Sequence, residues 1–355
     1  MADKIIATFP AFARPLIEAQ LPSWIEARWF ANKAEALAAG PGTEIGWFDM
    51  VKKPAMAQAV ESAVDMKWLN SLYAGVDGLP LGLLAERGVT LTNGAGLNSV
   101  TIAEYVVMGM LNIAKGYRAV VHAQQRHEWL AEAPGTMELL GSRALLLGYG
   151  AIGQLIDARL KAFGVEVSVV RRTPDASGRT LGPDQWRARL GEFDWVILAV
   201  PATPETVCMI GAAELAAMKP TAVLLNIARG SVIDQVALVD TLKARGIGAA
   251  FLDVTDPEPL PPAHALWSLD NAHVTMPCRA ARSPPCSGAR HSAFWKTWRA
   301  IGPGSHFYTR SIWRSGIERP AANKGRRFVN CAASLVCLVC LVCLVVGAEC
   351  RRGLR

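Results

Sequence analysis

A glycine-rich turn between an apolar run and a helical segment constrains the fold of this chain more than any other feature. Residues 144–147 read Ala-Leu-Leu-Leu, typical of a buried parallel strand, and Gly148, Gly150 and Gly153 follow at G-x-G-x-x-G spacing. The first glycine permits a tight turn, the second lets backbone approach a pyrophosphate, and the third lets the next helix pack on the strand. A second apolar run, at 165–170, follows at the distance expected for the next strand of such a unit. This spacing favours a dinucleotide-binding unit over a merely glycine-rich turn.

Charge and cysteine are distributed unevenly along the 355 residues. The formal net charge is +7, but residues 277–355 hold 14 Lys and Arg against two Glu, which leaves 23 basic and 28 acidic residues in 1–276. Only Cys208 lies in that mildly acidic body, and the other seven cysteines follow residue 277. The body therefore does not predict a nucleic-acid partner. Because no charged-then-apolar signal peptide begins the chain, a reducing cytoplasmic location is expected.

Residues 1–98 alternate short apolar runs with segments rich in Ala, Glu and Leu, which predicts a small α/β domain with a parallel sheet. Strands are expected at 4–8, 44–48, 67–72 and 89–92. Ala74, Gly75, Val76 and Asp77 follow the third of them. Their consecutive backbone N–H groups could form a nest for a carboxylate, although an ordinary strand-ending turn has the same sequence.

A long helix is predicted from a cap at Asn98 or Ser99 to about Arg126, as a hinge between two domains. Apolar runs at 195–201, 222–227 and 249–254 then alternate with helical segments, which predicts a doubly wound sheet. Ligands of such sheets bind beyond the carboxyl ends of the strands. Three polar residues fall there: Thr206, Arg229 and Glu258.

The end of the second strand of this sheet bears on the choice of cofactor. Enzymes that prefer NAD place Asp or Glu there for the ribose 2′-hydroxyl, whereas this chain has Arg171, Arg172 and Thr173. Two guanidiniums and a hydroxyl would hold a 2′-phosphate through charge-assisted hydrogen bonds, so NADP(H) is favoured over NAD(H). A solvated basic loop that accepts either cofactor stays the alternative.

Five motifs, in this order along the chain, resemble those of the D-isomer-specific 2-hydroxyacid dehydrogenases. They lie at 74–77, at 93–98 with Ala103 and Glu104, at 148–153, at 226–230 and at 252–261. The arginine pair and the run from Asp253 to Pro261 are most similar to the glyoxylate/hydroxypyruvate reductase branch. The resemblance implies a doubly wound parallel Rossmann sheet over 99–276, inserted in a smaller flavodoxin-like α/β substrate domain formed by 1–98.

The resemblance also implies a reaction, a set of site residues and an assembly. A small 2-oxoacid would be reduced to the D-2-hydroxyacid, with Arg229 binding its carboxylate and Glu258 raising the pKa of a catalytic histidine. Ala74, Gly75 and Val76 would bind substrate. The implied cofactor-binding set is Gly148, Tyr149, Gly150, Ala151, Ile152, Gly153, Arg171, Arg172, Thr173, Pro201, Thr206, Ile227, Ala228 and Asp253. A homodimer through the cofactor domain is expected.

The chain departs from the family pattern where that histidine should follow the strand at 271–276. It reads Pro277, Cys278 and Arg279, and His273 is four residues early, so we interpret His273 as structural. A one-base shift from Cys278 permits Leu-Ser-Gly-Arg-Ala-Gln, and the same shift from 293 permits a sequence resembling the family's last helix. One lost base thus accounts for the missing histidine and for an irregular tail at 277–355, and we expect impaired activity.

The end of the tail and a rival function remain open from sequence. Residues 331–347 are apolar for about the minimum length of a membrane span and follow Arg326 and Arg327, which suits a membrane anchor. We prefer the interpretation as a short translated repeat, so no membrane contact is expected. Cysteines at 337, 340 and 343 lack nearby His and Asp, so no metal site is predicted. A catalytically silent, dinucleotide-binding regulatory or scaffold protein is the alternative function. Arg229 and Glu258 argue against it.

Overall fold

The computed structural model describes residues 4–76, 78–175 and 178–275, together with the backbone of 328–330. The described residues form two compact units, 4–98 with 328–330 and 99–275. Predictions for the remaining residues lie outside this description. These concern Asp77, the position of the missing histidine, the shifted reading frame, the cysteine spacing and the apolar run.

The first unit is a parallel sheet with helices between its strands. Its elements are β1 (Ile5–Pro10), α1 (Arg14–Ile17), β2 (Ile25–Phe30), α2 (Lys33–Ala39), β3 (Ile45–Gly46), α3 (Lys53–Ser62), β4 (Trp68–Asn70), α4 (Leu81–Glu86) and β5 (Thr90–Asn93). The sheet order is 328–330, β5, β4, β3, β1, β2, and every pairing is parallel. Phe9, Phe48 and Trp68 are almost completely buried between the sheet and its helices.

Two features of this unit differ from the sequence-based expectation. Strand β2 was not expected, because Glu26 and Arg28 interrupt its apolar pattern; it is an edge strand, and Glu26 is exposed. In the tail, where irregular chain was expected, Phe328–Asn330 form a strand parallel to β5. The four expected strands of residues 1–98 are present, with shifted ends.

The second unit is a doubly wound sheet. It contains α5 (Ser99–Ala114), α6 (Tyr117–Gln125), β6 (Arg143–Leu147), α7 (Ala151–Ala162), β7 (Glu166–Val170), β8 (Thr180–Leu181), β9 (Trp195–Leu198), α8 (Ala212–Ala217), β10 (Val223–Asn226), α9 (Gln235–Lys243), β11 (Ala249–Leu252) and β12 (Ala272–Val274). The parallel order is β12, β11, β10, β9, β6, β7, β8. The chain leaves β6 for β7 on one side and returns to β9 on the other, which is a topological switch point.

The central strands of this sheet, β6, β9, β10 and β11, are buried on both faces. In β6, Leu145 and Leu147 belong to one apolar cluster, whereas Ala144 and Leu146 belong to the cluster on the opposite face. A strand packed on both sides needs apolar residues at every position, which is why the sequence shows a continuous run there.

The predicted helix from 98 or 99 to about Arg126 is wrong as a single element. Helix α5 begins at Ser99 and ends at Ala114, and α6 starts after Gly116, whose φ of 59° is left-handed. A Cβ on Gly116 would also lie 2.7 Å from the carbonyl carbon of Pro134, so glycine is needed for both reasons. None of the helices in the described residues has the length and apolar character needed to span a bilayer.

Candidate functional site

The glycine loop, residues 148–153, follows β6 at the topological switch point, and its three glycines have different surroundings. Gly148 has a φ of 102°, and a Cβ there would lie 2.5 Å from the carbonyl oxygen of Ala199. A Cβ on Gly153 would overlap the carbonyl oxygen of Gly148. Gly150 differs, because a Cβ there would meet no atom of the described chain within 4 Å. Contacts within the protein thus require glycine at 148 and 153, whereas Gly150 faces open space among the described residues.

This geometry fits the pyrophosphate of a dinucleotide. Gly150 and Ala151 are exposed, and Ile152 is half-buried. Gly150 is the residue before α7, a helix of 12 residues whose first N–H groups and dipole favour an anion. The exposed backbone at Gly150 is therefore the part of the loop that a phosphate can approach closely.

The hydroxyl of Tyr149, within this loop, is hydrogen-bonded in a cluster of charged side chains. Its hydroxyl donates to Asp157 Oδ2 at 2.6 Å, and Arg179 donates to both oxygens of Asp157, at 3.2 and 3.0 Å. Arg179 Nη2 also donates to the Tyr149 hydroxyl at 3.1 Å, and Lys161 Nζ lies 3.2 Å from Asp157 Oδ2. Residues 149, 157, 161 and 179 are called the Asp157 cluster below.

Charge balance within the Asp157 cluster explains how a buried carboxylate is tolerated. Burial raises the pKa of Asp157, but the hydrogen bonds from Tyr149, Arg179 and Lys161 together outweigh it and hold the pKa below its usual range. The hydrogen bond to Asp157, followed by burial, raises the pKa of Tyr149. Asp157 and Arg179 were not identified from sequence. The available signal was an acidic residue at 157 on the buried face of α7, beside Ile156 and Leu160.

The arginine segment, residues 171–175, follows β7 and is exposed throughout. Arg171 Nη1 lies 3.6 Å from Asp175 Oδ2, and Asp175 Oδ1 accepts a hydrogen bond of 2.8 Å from the Thr180 hydroxyl. Arg172 lies near Glu205, whose pKa is lowered by the Thr203 hydroxyl, its own backbone N–H and, more weakly, the charge of Arg172. The arginines therefore have nearby carboxylates that the sequence analysis did not consider.

Thr206 and Pro201 lie in the turn that follows β9. Thr206 is buried, and its hydroxyl donates to the carbonyl of Pro201 at 2.8 Å and accepts from the N–H of Thr203 at 2.8 Å. The hydroxyl closes a capping box around the short helix Pro204–Thr206. In the described residues Thr206 thus shapes this turn at the carboxyl edge of the sheet.

Buried Asn226, at the end of β10, shapes the turn that carries Arg229. Its Oδ1 accepts from the N–H of Ala228 at 3.0 Å, and its Nδ2 donates to the carbonyl of Arg229 at 2.9 Å. Ile227 and Ala228 are buried, whereas Arg229 is half-buried and donates from Nη1 to the carbonyl of Ala228 at 2.7 Å. Asn226 belongs to the motif at 226–230, but its two hydrogen bonds to the backbone of this turn were not predicted.

Asp253 and Glu258 follow β11, the neighbour of β10. Asp253 is buried, its N–H donates to the carbonyl of Asn226 at 3.0 Å, and its Oδ1 accepts from the Thr275 hydroxyl at 3.3 Å. Glu258 is exposed. Because β10 and β11 pair in parallel, their carboxyl ends lie at the same edge of the sheet, and the segments that carry Arg229 and Glu258 both start there.

His273 lies within β12, opposite Phe251 of β11, rather than beyond the strand end. Burial, and after it the charge of Arg118, lowers its pKa. Arg118 donates to the carbonyl of Ala272 at 2.9 Å and also to the carbonyls of Leu269 and Asp270. Among the described residues, His273 is thus a half-buried residue of the edge strand β12.

In the first unit, buried Asp49 fixes the start of the segment that carries Ala74, Gly75 and Val76. Asp49 Oδ1 accepts from the Ser71 hydroxyl at 2.6 Å, and Oδ2 accepts from the N–H of Leu72 at 2.7 Å and from Trp47 Nε1 at 2.8 Å. Asn93 Nδ2 donates to the carbonyl of Ala74 at 2.8 Å.

Asp49 was missed from sequence because two of its three partners, Ser71 and Leu72, lie more than 20 residues away along the chain. Burial raises the pKa of Asp49 against the opposing effect of its hydrogen bonds. Asp49 therefore belongs to the framework beneath the predicted carboxylate nest, whose last residue lies outside the description.

A doubly wound parallel sheet with this glycine loop at its switch point defines a dinucleotide-binding protein of the Rossmann type. Residues 107–276 match the family described as "D-isomer specific 2-hydroxyacid dehydrogenase, NAD binding domain". The chain belongs to the D-isomer-specific 2-hydroxyacid dehydrogenase family, which confirms the resemblance inferred from the motifs.

Three relatives illustrate the extent of the similarity. Glyoxylate reductase from Pyrococcus furiosus is 33% identical, covering 61% of this chain and 68% of the relative. D-3-phosphoglycerate dehydrogenase from Archaeoglobus fulgidus is 30% identical over 63% of this chain, which spans only 43% of that protein. The structure of NADPH-dependent glyoxylate/hydroxypyruvate reductase from Sinorhizobium meliloti, in complex with NADP and malonate, has a TM-score of 0.71 at 25% identity, covering 84% of this chain and 93% of that one.

Proposed function

We propose that this protein reduces a small 2-oxoacid of the glyoxylate or hydroxypyruvate type to the D-2-hydroxyacid, with NAD(P)H as the reductant. The observation that carries the proposal is the pair Arg229 and Glu258, which follow adjacent parallel strands at the edge that also bears the glycine loop. A protein that only bound dinucleotide would have no use for this pair. Relatives named glyoxylate reductase support the substrate class.

The roles follow from what reduction of a 2-oxoacid requires. Bound nicotinamide supplies the hydride, and Arg229 holds the substrate carboxylate through its planar fork while polarising the carbonyl. In the first unit, Ala74, Gly75 and Val76 would bind substrate through their backbone N–H groups, as the family resemblance implies. Residues 1–98 thus serve as the substrate domain and 99–276 as the cofactor domain.

The proton donor is the missing part of this scheme. In this scheme Glu258 would hydrogen-bond a histidine acid, but Pro277 and Cys278 stand where the family resemblance implies that histidine. Losing a positioned general acid costs about 10²–10⁴ in rate. The protein is therefore expected to bind cofactor and to turn over slowly.

Substituting Arg229→Gln tests the reaction directly. We expect kcat/KM for glyoxylate and hydroxypyruvate to fall by about 10²–10³, because the substrate loses its cation, while the Kd for NADPH changes less than about twofold. Turnover is followed by NADPH oxidation, and Arg245→Gln is the control, since Arg245 pairs with Asp270 at the surface. Unchanged turnover in Arg229→Gln would refute the assignment. NADPH binding without turnover, even after a histidine is restored, would favour the silent binder.

We propose that NADP(H) is preferred over NAD(H) through Arg171, Arg172 and Thr173. The three residues are exposed directly after β7, next to the strand that leads into the glycine loop. Arg171 is partly neutralised by Asp175 at 3.6 Å, whereas the charge of Arg172 is the weakest of the influences on the pKa of Glu205, so Arg172 is expected to contribute more of the binding energy.

Arg172→Ala is expected to raise the Kd for NADPH by about tenfold and to leave the Kd for NADH within about twofold, because only NADPH carries the 2′-phosphate. Both values are obtained by titrating nicotinamide fluorescence. The control is Arg126→Ala, an exposed arginine paired with Glu128. Equal effects on the two cofactors would show that the segment is merely a solvated basic loop.

We further propose a cytoplasmic homodimer that binds neither nucleic acid nor membrane. Several apolar side chains of the second unit are exposed in the single chain, among them Trp129 at 97% and Leu140 at 73%. The partner that the family resemblance implies is a second copy of the cofactor domain, and a dimer interface that included these side chains would remove them from water.

A further inference from the structure

We propose that the Asp157 cluster positions the glycine loop and the arginine segment relative to each other and thereby contributes to the discrimination of NADPH from NADH. This inference rests on the proposed cofactor binding and extends it to Asp157 and Arg179, which lie outside the cofactor-binding set that the family resemblance implies. Tyr149 and Arg179 are positioning residues in this scheme, and Asp157 is the group that joins them.

The cluster connects three separate elements of the second unit. Tyr149 lies inside the glycine loop, Asp157 is on the buried face of α7, and Arg179 immediately precedes β8. Asp157 is only 2% exposed, yet both of its carboxylate oxygens are hydrogen-bonded by residues from the other two elements. The Arg179 guanidinium also lies 5.6 Å from the centre of the Tyr149 ring. The three side chains are therefore joined by a continuous set of hydrogen bonds.

Arg179 is connected to the arginine segment through the next residue. The Thr180 hydroxyl binds Asp175, which pairs with Arg171. Backbone hydrogen bonds run from the N–H of Val169 to the carbonyl of Arg179 at 2.9 Å and from the N–H of Arg171 to that of Leu181 at 3.1 Å. A shift of Arg179 would thus be transmitted to the positions of Arg171 and Arg172.

The two ends of the cluster predict different effects on the two cofactors. Both NADPH and NADH place a pyrophosphate at the glycine loop, whereas only NADPH has a 2′-phosphate for the arginine segment. Loosening Tyr149 should weaken both cofactors equally. Loosening Arg179 should act mainly on NADPH, because the arginines lose their preorganised position.

The test uses the full chain with Tyr149→Phe, Arg179→Lys and the double variant, titrated with NADPH and with NADH. Arg179→Lys keeps the charge but loses the fork, and we expect about a fivefold rise in the Kd for NADPH with less than about a twofold change for NADH. Tyr149→Phe should raise both Kd values by about threefold. In the double variant the loss of NADPH affinity should be smaller than the product of the single losses, because the residues share Asp157.

A matched control is Arg189→Lys. Arg189 is 34% exposed, compared with 35% for Arg179, and it likewise donates two hydrogen bonds to one carboxylate, that of Glu192. This variant should leave both Kd values unchanged.

The outcomes separate the inference from the function on which it rests. If the unsubstituted chain binds neither nucleotide, the proposed function fails and this inference fails with it. If it binds NADPH but Arg179→Lys weakens NADPH and NADH equally or not at all, only the inference is overturned. Strict multiplication of the single effects in the double variant would also overturn it, because the two loops would then be independent.

Discussion

Restoring a histidine directly after Met276 is expected to raise kcat for glyoxylate or hydroxypyruvate by about 10²–10⁴, because the developing alkoxide regains its proton donor. Inserting one base before the codons for Cys278 and the residues after it also returns the frame that permits Leu-Ser-Gly-Arg-Ala-Gln. The measurement compares kcat of the frame-restored protein with that of the present chain, with the Kd for NADPH as the check on folding.

A second variant separates the histidine from the tail. Pro277→His restores the imidazole but keeps the foreign residues 278–355, so it should recover less activity than the frame-restored protein. If neither variant gains activity, the lost histidine is not the cause of slow turnover. A rise with the restored frame would also remove the silent regulatory protein as the alternative.

Gly148→Ala is expected to destabilise the second unit by about 2–6 kcal/mol and to abolish measurable NADPH binding. The reasons are its φ of 102° and the oxygen of Ala199, which would lie 2.5 Å from the new Cβ. Urea unfolding gives the change in stability, and titration with NADPH gives the loss of binding.

Gly150→Ala is the matched comparison. A Cβ at Gly150 meets no described protein atom within 4 Å, so stability should change by less than about 1 kcal/mol while NADPH binding weakens, because the methyl group occupies the space of the pyrophosphate. If Gly150→Ala binds NADPH with full affinity, the pyrophosphate does not approach this residue. If Gly148→Ala is as stable as the parent, the strain assigned to Gly148 is absent.

The cofactor domain was more predictable than the rest of the chain for a physical reason. Its central strands are buried on both faces, so the runs 144–147 in β6, 195–198 in β9, 223–225 in β10 and 249–252 in β11 are continuously apolar and easily recognised. The edge strand β2 and the two-residue strand β8 have no such signature, and both were missed. The break between α5 and α6 was missed because Gly116 alone marks it within an otherwise helical pattern.

The site residues likewise fall into those that local spacing predicts and those that depend on packing between distant segments. Glycines and strand-end residues such as Arg229 could be identified because their positions follow from backbone geometry and strand order. The partners of Asp49 and Asp157 could not be predicted. Hydrogen bonds between residues 22 positions apart, such as those from Ser71 to Asp49 and from Arg179 to Asp157, depend on where separate elements pack.

By itself, the sequence determined the doubly wound fold, the position of the glycine loop, the family and the absence of the family's histidine after Met276. These properties depend on local spacing and apolar periodicity, which are written directly in the order of residues. Only the tertiary structure decided that Tyr149 is bound to Asp157, that carboxylates accompany the two arginines, and that Gly150 alone of the three loop glycines opens onto space. Those facts arise from packing between distant segments, because the free energy of burying a charge depends on which partners the fold brings to it.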